Sequence, residues 1–330
     1  MKNDVTDANE VLNQRADRAW TALAEQAGLD PKLYVQTRSW RKNEPARAHI
    51  VRLYEADERP GIYLKLILVP EDIKMFQTQI MAQLYAADIM QGQETCSVPE
   101  ILAADLERRA FLMEEVRGDT VAELLSQGRN PNNMLRRSGG WMSTFHQASF
   151  SEDRIYQPRF MRDHIVRLLQ QVQDGEKEIA DFDEFELYAK IVMWNAERYE
   201  NKRTKSSRTH GDMHLRNLIL GNKGRSWGLD FTTERNAPVG HDIARFLVEY
   251  ATTQLEPSNY VAGHVVPPDV LNVFFRGYDF VGADDPSVQY LLKVRLLMDW
   301  AGQPADPSAR SVKREVRLHN LKAITKLALT

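Results

Sequence analysis

Cysteine and long apolar runs are scarce in this sequence. Cys96 is the only cysteine among 330 residues, so an intrachain disulfide and a cysteine-rich metal site are both excluded. A reducing compartment, the cytoplasm, is therefore expected. No apolar run approaches the roughly 18 residues that a membrane-spanning helix needs, so no transmembrane segment is expected. Residues 1–14 are polar and carry charges of both signs, which is not typical of a secretory signal.

An excess of charge of one sign is also missing. The 43 Lys and Arg residues are nearly balanced by 46 Asp and Glu residues, which leaves a net charge of -3. Because nonspecific binding to phosphate backbones depends on an excess of basic residues, no nucleic-acid partner is expected. The 43% hydrophobic and 27% charged content is typical of a globular protein.

Hydrophobic periodicity predicts an α+β chain in two parts. The first part, residues 1–116, has a leading helix over 7–28, strands over 33–36, 48–54 and 61–68, a helix from Ile73, and strands over 101–104 and 110–115. The second part, residues 117–330, is mostly helical. Its predicted helices span 121–127, 134–148, 159–173, 185–201, 241–252, 269–278, 288–302 and 312–329. A hairpin over 217–221 and 225–231, with its turn at 222–224, interrupts them.

The segment 210–217, which reads HGDMHLRN, carries the strongest chemical signal. Asn217 and Asp230 flank the predicted hairpin, so we expect an amide oxygen and a carboxylate to converge at its open end. Hard oxygen ligands of this kind suit Mg²⁺ that is held mainly by substrate phosphates and water. Asp212 lies just before the hairpin and could accept a proton from an attacking hydroxyl, as the catalytic aspartate does in phosphoryl transfer.

Two further features lie in the first part. Lys65 is in the middle of an apolar predicted strand, residues 62–68, which reads IYLKLIL. A buried ammonium is costly unless an anion meets it, so a nucleotide phosphate is a fitting partner. The strand over 111–118 runs into Gly118 at a predicted hinge. The backbone near Glu114 could bind the edge of an adenine.

These features, in this order, resemble the aminoglycoside phosphotransferase-like kinases, relatives of choline kinase and homoserine kinase. The segments GHDIA at 240–244 and WMSTFH at 141–146 are also similar to that family, and the resemblance spans residues 33–280. It implies a bilobal protein-kinase-like fold, with a small antiparallel β N-lobe that has one main helix and a larger helical C-lobe. It also implies ATP and Mg²⁺ as cofactors and transfer of a γ-phosphoryl group to a hydroxyl of a small molecule.

The resemblance assigns a role to individual residues. It implies that Asp212 is the catalytic base and that Asn217 and Asp230 are Mg²⁺ ligands. It implies that Lys65 anchors phosphate and that the backbone of Glu114 and Val116 contacts adenine. It also implies that Asp242 braces the catalytic loop and that His210 and His214 order that loop.

Two departures from the kinase pattern concern the nucleotide site. Kinases pair the strand lysine with a helix glutamate, but residues 73–92 contain no Glu, and Gln79, or alternatively Gln77 or Gln83, occupies the expected position. Gln79 can hydrogen-bond Lys65 without supplying charge, so the lysine is steadied by nucleotide or by another acid. The expected nucleotide-covering loop, residues 39–47, has no glycine, and its Arg and Lys side chains could supply charge instead.

Several alternatives stay open at this point. His210, Asp212 and His214 would share one face if they lay on a strand, which is the pattern of a two-His, one-carboxylate metal site. The missing helix glutamate favours a nucleotide-binding pseudokinase scaffold. The acceptor could be a sugar, an amino-alcohol or an aminoglycoside, and the basic last helix leaves open an envelope-glycan acceptor of lipopolysaccharide type or contact with an anionic glycan or a membrane surface.

Overall fold

The computed structural model describes residues 2–44 and 47–330, with side chains from residue 10 onward. Along the chain the helices and strands are α1 (Lys2–Gln26), β1 (Val35–Glu44), β2 (Arg47–Glu55), β3 (Ile62–Val69), α2 (Ile73–Ile89), β4 (Cys96–Ser97), β5 (Ile101–Asp105), β6 (Ala110–Glu114), β7 (Asp119–Thr120), α3 (Val121–Ser126), α4 (Pro131–Ala148), β8 (Phe150–Ile155), α5 (Arg159–Gln173), α6 (Phe182–Asn195), β9 (Arg203–Arg208), β10 (Leu218–Leu220), β11 (Ser226–Gly228), β12 (Asn236–Pro238), α7 (Gly240–Gln254), α8 (Pro268–Phe275), α9 (Pro286–Ala301) and α10 (Val312–Leu329).

The chain divides into two compact units. The first unit consists of Met1–Gly118 and Gly221–Thr233, and the second of Asp119–Leu220 and Glu234–Thr330. Residues 221–233 thus lie with the first unit, although the helical pattern of their neighbours places them in the second part of the sequence. Two contacts explain this: β11 pairs in parallel with β4, and Leu229 packs against Phe76 and Phe111. Neither contact leaves a periodic signal in the sequence.

An antiparallel sheet forms the centre of the first unit, with its strands in the order β1-β2-β3-β6-β5. Side chains alternate between the two faces of a strand, so Leu64 and Leu66 of β3 pack into the core that α1 covers. In that core Trp20 of α1 stacks on Tyr54 of β2 with ring centroids 3.7 Å apart. The same alternation places Lys65 on the opposite face of the sheet, the face that α2 covers through Phe76 and its neighbours.

The predicted loop over residues 39–47 is wrong for its first six residues. Ser39 to Glu44 belong to β1, which pairs with β2 in a continuous antiparallel ladder from Ser39 opposite Arg52 to Glu44 opposite Arg47. Backbone pairing stabilises this strand although nearly all of its side chains are exposed. Pro45 and Ala46 lie outside the described residues.

The second unit is mainly helical, as expected, and it also contains strands that the sequence pattern does not reveal. β8, β9 and β12 form an antiparallel sheet in the order β12-β9-β8. β8 reads FSEDRI and β9 reads RTKSSR, so both lack the alternating apolar residues by which a strand is recognised. None of the helices within the described ranges combines the length and the apolar character that a membrane crossing requires.

Candidate active site

Lys65 and Asp230 form an ion pair in the first unit. The Lys65 Nζ donates to Asp230 Oδ1, and the two side chains are 10% and 25% exposed. Asp230 has a φ of 60°, a left-handed conformation that Asp tolerates better than most residues, and it lies between the partly buried Leu229 and the buried Phe231. Those two anchors hold the residue in place while its carboxylate meets the lysine.

The ion pair keeps the Asp230 carboxylate charged. Burial alone would raise the pKa of this carboxyl, but the charge of Lys65 and its hydrogen bond outweigh burial and hold the pKa at about 2. Asp230 is therefore ionised at neutral pH. The acid that the sequence requires for the buried Lys65 is thus found within the same unit.

A cavity of about 390 Å³ surrounds the ion pair. Three basic side chains line it, from Arg47, His49 and Lys65, and Asp230 supplies its carboxylate. Burial and the neighbouring charge of Lys65 together lower the pKa of His49 to about 4, although Asp230 acts in the opposite direction. His49 is therefore neutral at pH 7 and can donate or accept a hydrogen bond. A cavity with this lining fits the phosphates of a nucleotide.

Gln79 of α2 lines this cavity together with Lys65. Within the part of the chain that the structure describes, the recorded side-chain partner of Lys65 is Asp230, and no hydrogen bond joins Lys65 to Gln79. Gln83, one turn further along α2, is buried and donates to the carbonyl oxygen of Pro99 at 3.2 Å. Gln79 and Gln83 therefore line the cavity, and the charge on Lys65 is met by Asp230.

Glu114 is the last residue of β6, and Val116 lies two residues further along the chain. The Glu114 backbone N–H donates to the carbonyl oxygen of Glu100 at 3.0 Å, and its carboxylate accepts from the Glu100 N–H at 3.2 Å. Both residues line a second cavity of the first unit, about 950 Å³ in volume, which Pro60 and Trp227 also line. Neither lines the cavity around Lys65. Their role as adenine contacts stays a prediction.

In the second unit a buried carboxylate organises the HGDMHLRN segment. Asp242, at the start of α7 and 2% exposed, accepts hydrogen bonds from the backbone N–H groups of His210 at 2.7 Å and Gly211 at 3.1 Å. His146 of α4 approaches the same carboxylate through Nε2 at 3.2 Å. Burial would raise the pKa of Asp242, but the hydrogen bond and the charge of the histidine lower it. An ionised carboxylate thus holds two successive backbone amides at the start of the loop.

Asp212 is contacted by a basic residue of the same unit. Its side chain is 9% exposed and forms an ion pair with Arg245, which lies on α7 one turn after Asp242. Asn217 donates from Nδ2 to the backbone carbonyl oxygen of Asp212 at 2.9 Å, and this bond fixes the orientation of its amide. The loop therefore holds a carboxylate and an amide in defined positions.

His210 and His214 each accept a hydrogen bond from the chain two residues later. His210 Nδ1 accepts from the Asp212 N–H at 3.3 Å, and His214 Nδ1 accepts from the Arg216 N–H at 3.2 Å. Residues 209–217 form turns and not a strand, so the alternation on which a facial metal triad would depend is absent. Among the described residues, no three His, Cys, Asp or Glu side chains are grouped to hold a metal ion.

The oxygen donors that these loops provide fit Mg²⁺ in kind. Mg²⁺ prefers oxygen ligands and binds through one or two carboxylates together with substrate phosphates. Asp230 supplies an ionised carboxylate. Asn217, whose amide nitrogen is used to bind the backbone, supplies an amide oxygen.

Comparison with known proteins identifies the family of this chain. The model of a phosphotransferase enzyme family, APH, matches residues 37–291. The chain belongs to this family. The predicted resemblance to aminoglycoside phosphotransferase-like kinases is thereby confirmed, as is the prediction of a small-molecule phosphotransferase that acts on a hydroxyl group. A search of curated protein sequences gives no match to this chain.

Solved structures agree on the fold. The aminoglycoside phosphotransferase APH(4)-Ia is 13% identical, with 99% of this chain and 100% of that chain covered at a TM-score of 0.57. The choline kinase LicA from Streptococcus pneumoniae is 11% identical, with 92% and 97% covered at a TM-score of 0.54. An AMP-bound spectinomycin phosphotransferase, APH(9)-Ia, is 15% identical, with 84% and 90% covered at a TM-score of 0.51. The predicted protein-kinase-like α+β fold is confirmed.

Two residues of the site were not among the sequence candidates. His49 follows Ala48 and precedes Ile50 in β2, and a polar residue between two buried apolar ones in a strand is the signal that could have found it. Arg245 lies three residues after Asp242, and side chains at that spacing share a helix face. Its contact with Asp212 depends on how the loop folds against α7, which no spacing shows.

Proposed function

We propose that the protein is a kinase that uses ATP and Mg²⁺ to phosphorylate a hydroxyl group of a small molecule. The observation that carries the proposal is the Lys65–Asp230 ion pair in a cavity with a basic lining, in a chain of the phosphotransferase family. Nucleotide binding is also supported by the AMP that the similar spectinomycin phosphotransferase holds. The lone Cys96 supports a reducing location, the cytoplasm.

Each unit contributes its own groups to the proposed reaction. In the first unit Lys65 would hold phosphate oxygens, and the backbone of Glu114 and Val116 would contact adenine. The family pattern assigns the role of Mg²⁺ ligand to Asp230 and to Asn217, and Mg²⁺ supplies charge neutralisation to the phosphates when it is bound. These assignments follow from the family pattern and from the ionised state of Asp230.

Asp212 is the proposed base. The acceptor oxygen forms a bond to the γ-phosphorus, the bond from that phosphorus to the β–γ bridging oxygen breaks, and ADP leaves. The hydroxyl proton goes to the Asp212 carboxylate. Asp242 keeps the loop in place through His210 and Gly211, so the base is positioned before the acceptor binds.

The test is Mg²⁺-dependent phosphoryl transfer from ATP to a panel of sugars, amino-alcohols and aminoglycosides. Asp212→Asn and Asp230→Asn should each lower kcat by about 10³-fold or more, because base catalysis and charge neutralisation each supply several kcal/mol. Asp284→Asn, the same change at an exposed position, serves as the control. Turnover like that of the wild type in either site variant would contradict the proposal. Nucleotide binding without turnover on any acceptor would favour the scaffold alternative.

The proposed contact of the last helix with an anionic glycan or a membrane surface has limited support. Lys322 pairs with Asp181 at 2.6 Å and with Glu184 at 3.0 Å, and Arg317 pairs with Asp299 at 2.7 Å. Acids of the same unit therefore already neutralise part of the positive charge of α10. A small soluble acceptor is the better supported partner.

A further inference from the structure

Several basic side chains lie on the helices next to the proposed base, Asp212. Arg245 of α7 contacts Asp212, while Asp242, one turn earlier on the same helix, holds the backbone of the loop. Arg295 lies on α9, which packs against α7. Burial lowers the pKa of Arg295, Asp299 raises it, and the charge of Arg245 lowers it. Like charges gathered in this way are unfavourable unless an anion is shared among them.

Arg295 and Arg317 share a single carboxylate. Both guanidinium groups contact Asp299, Arg295 from one turn earlier on α9 and Arg317 from α10 at 2.7 Å. Together with Arg245 and Asp212 this cluster contains three guanidinium groups and two carboxylates. We call it the arginine cluster, and its formal charge is positive.

The arginine cluster has unused hydrogen-bonding capacity. The three side chains are 30%, 27% and 28% exposed, so their guanidinium groups remain within reach of a ligand. Each arginine forms its ion pair through Nη2, so further terminal N–H donors of the planar guanidinium can bind a carboxylate or a phosphate.

Two acidic residues that could bind a cationic acceptor are engaged in holding the fold. Glu249 accepts from the Leu215 N–H at 2.8 Å, and so supports the catalytic loop. Asp285 caps the start of α9 and accepts from the Thr204 hydroxyl at 2.9 Å. These two carboxylates are therefore engaged within the protein, whereas Arg245 contacts Asp212 directly.

We infer that the acceptor of this kinase carries an anionic group, a carboxylate or a phosphate ester, which the arginine cluster binds while the acceptor hydroxyl reaches Asp212. The inference rests on the proposed function of Asp212 as the base. It narrows the acceptor to hydroxy acids and sugar phosphates. Cationic aminoglycosides and amino-alcohols are then poor acceptors, because a positive ligand would meet Arg245 beside the base.

Four probes of similar size test the inference: glucose, glucosamine, gluconate and glucose 6-phosphate. We expect kcat/KM for gluconate or for glucose 6-phosphate to exceed that for glucose by about 10- to 150-fold, the equivalent of one charge-assisted hydrogen bond. The two anionic probes show whether the group is a carboxylate or a phosphate. Glucosamine should be the poorest acceptor of the four.

Variants of the arginine cluster supply the second measurement. Arg295→Gln should raise KM for the anionic acceptor by about 10-fold or more while kcat/KM for glucose changes by less than about 3-fold. Arg317→Gln should do the same, and in either variant Asp299 keeps one arginine partner. Lys313→Gln removes an equal charge from an exposed position on α10 and should leave all four acceptors unchanged.

The outcomes separate this inference from the proposed function. A higher kcat/KM for glucose or glucosamine, with Arg295→Gln and Arg317→Gln showing no effect on any acceptor, overturns the inference and leaves the kinase intact. If no probe is phosphorylated, the proposed function fails for this panel, and calorimetry then decides: binding of gluconate or glucose 6-phosphate that Arg295→Gln abolishes supports an anion site. Absence of such binding overturns it.

Discussion

Asp242→Asn tests how the catalytic loop is held. The wild-type carboxylate takes three donors: His210 N–H and His146 Nε2 at Oδ2, and Gly211 N–H at Oδ1. An asparagine of the same shape has one oxygen and one NH₂ group. Its best orientation keeps the two bonds at Oδ2 and turns the NH₂ toward the Gly211 N–H, where two donors face each other.

The cost of this change follows from the burial of the site. Loss of the bond to Gly211 and of the charge that strengthens the other two should lower the free energy of unfolding of the second unit by about 2 to 4 kcal/mol. Since the same loop carries Asp212, kcat should fall as well. Asp242→Ala, which leaves all three donors without an acceptor, should lower stability further.

Two measurements check this prediction. Denaturant unfolding gives the change in stability, and native-state hydrogen exchange reports on the amides of His210 and Gly211 directly. The Gly211 amide, which loses its bond, should lose the most protection in Asp242→Asn, and the His210 amide, whose bond is weakened, should lose less; the control Asp284→Asn should leave both protected. Stability within about 0.5 kcal/mol of the wild type, a difference typical of surface substitutions, together with unchanged exchange at these amides, would refute the reasoning.

Two further predictions concern packing and pH. Gly139→Ala should destabilise the protein by about 1 to 3 kcal/mol, because a Cβ there would lie 2.4 Å from the Phe274 carbonyl oxygen. At Gly140 an added Cβ would lie at an ordinary 3.8 Å from the Gly277 carbonyl oxygen, so Gly140→Ala should be neutral or slightly stabilising. Chemical denaturation compares the two variants. Because the pKa of His49 is lowered to about 4, the unfolded chain binds a proton there before the folded one does, so stability is present above about pH 6.5 and declines as pH falls toward 4. His49→Gln should remove about 1 kcal/mol of that decline, a value reduced because the side chain is partly exposed, and an unchanged slope of stability against pH would contradict the assignment.

Much of the fold follows from local pattern. The strands over 48–54 and 61–68 and the helix from Ile73 show clear periodicity, and the structure has them as β2, β3 and α2. Strands β8 and β9 have no such signal, because polar side chains leave pairing as their main stabilisation. The loop predicted over 39–47 fails for the same reason, since β1 is a strand through its ladder with β2.

The sequence by itself determined the family, and it predicted which residues carry the chemistry. HGDMHLRN, Asp230 and Lys65 are informative because phosphoryl transfer needs a base, oxygen ligands and a fixed cation, and few other residue types serve. Their order along the chain was enough to indicate a kinase.

Only the tertiary structure decided which charges meet. Lys65 finds its acid in Asp230, 165 residues away, and not in the helix residue Gln79. Asp212 forms an ion pair with Arg245, and Asp299 forms ion pairs with Arg295 of α9 and Arg317 of α10. Coulomb interactions depend on distance through space, and the distance between two side chains far apart in sequence is set by packing, which no local pattern encodes.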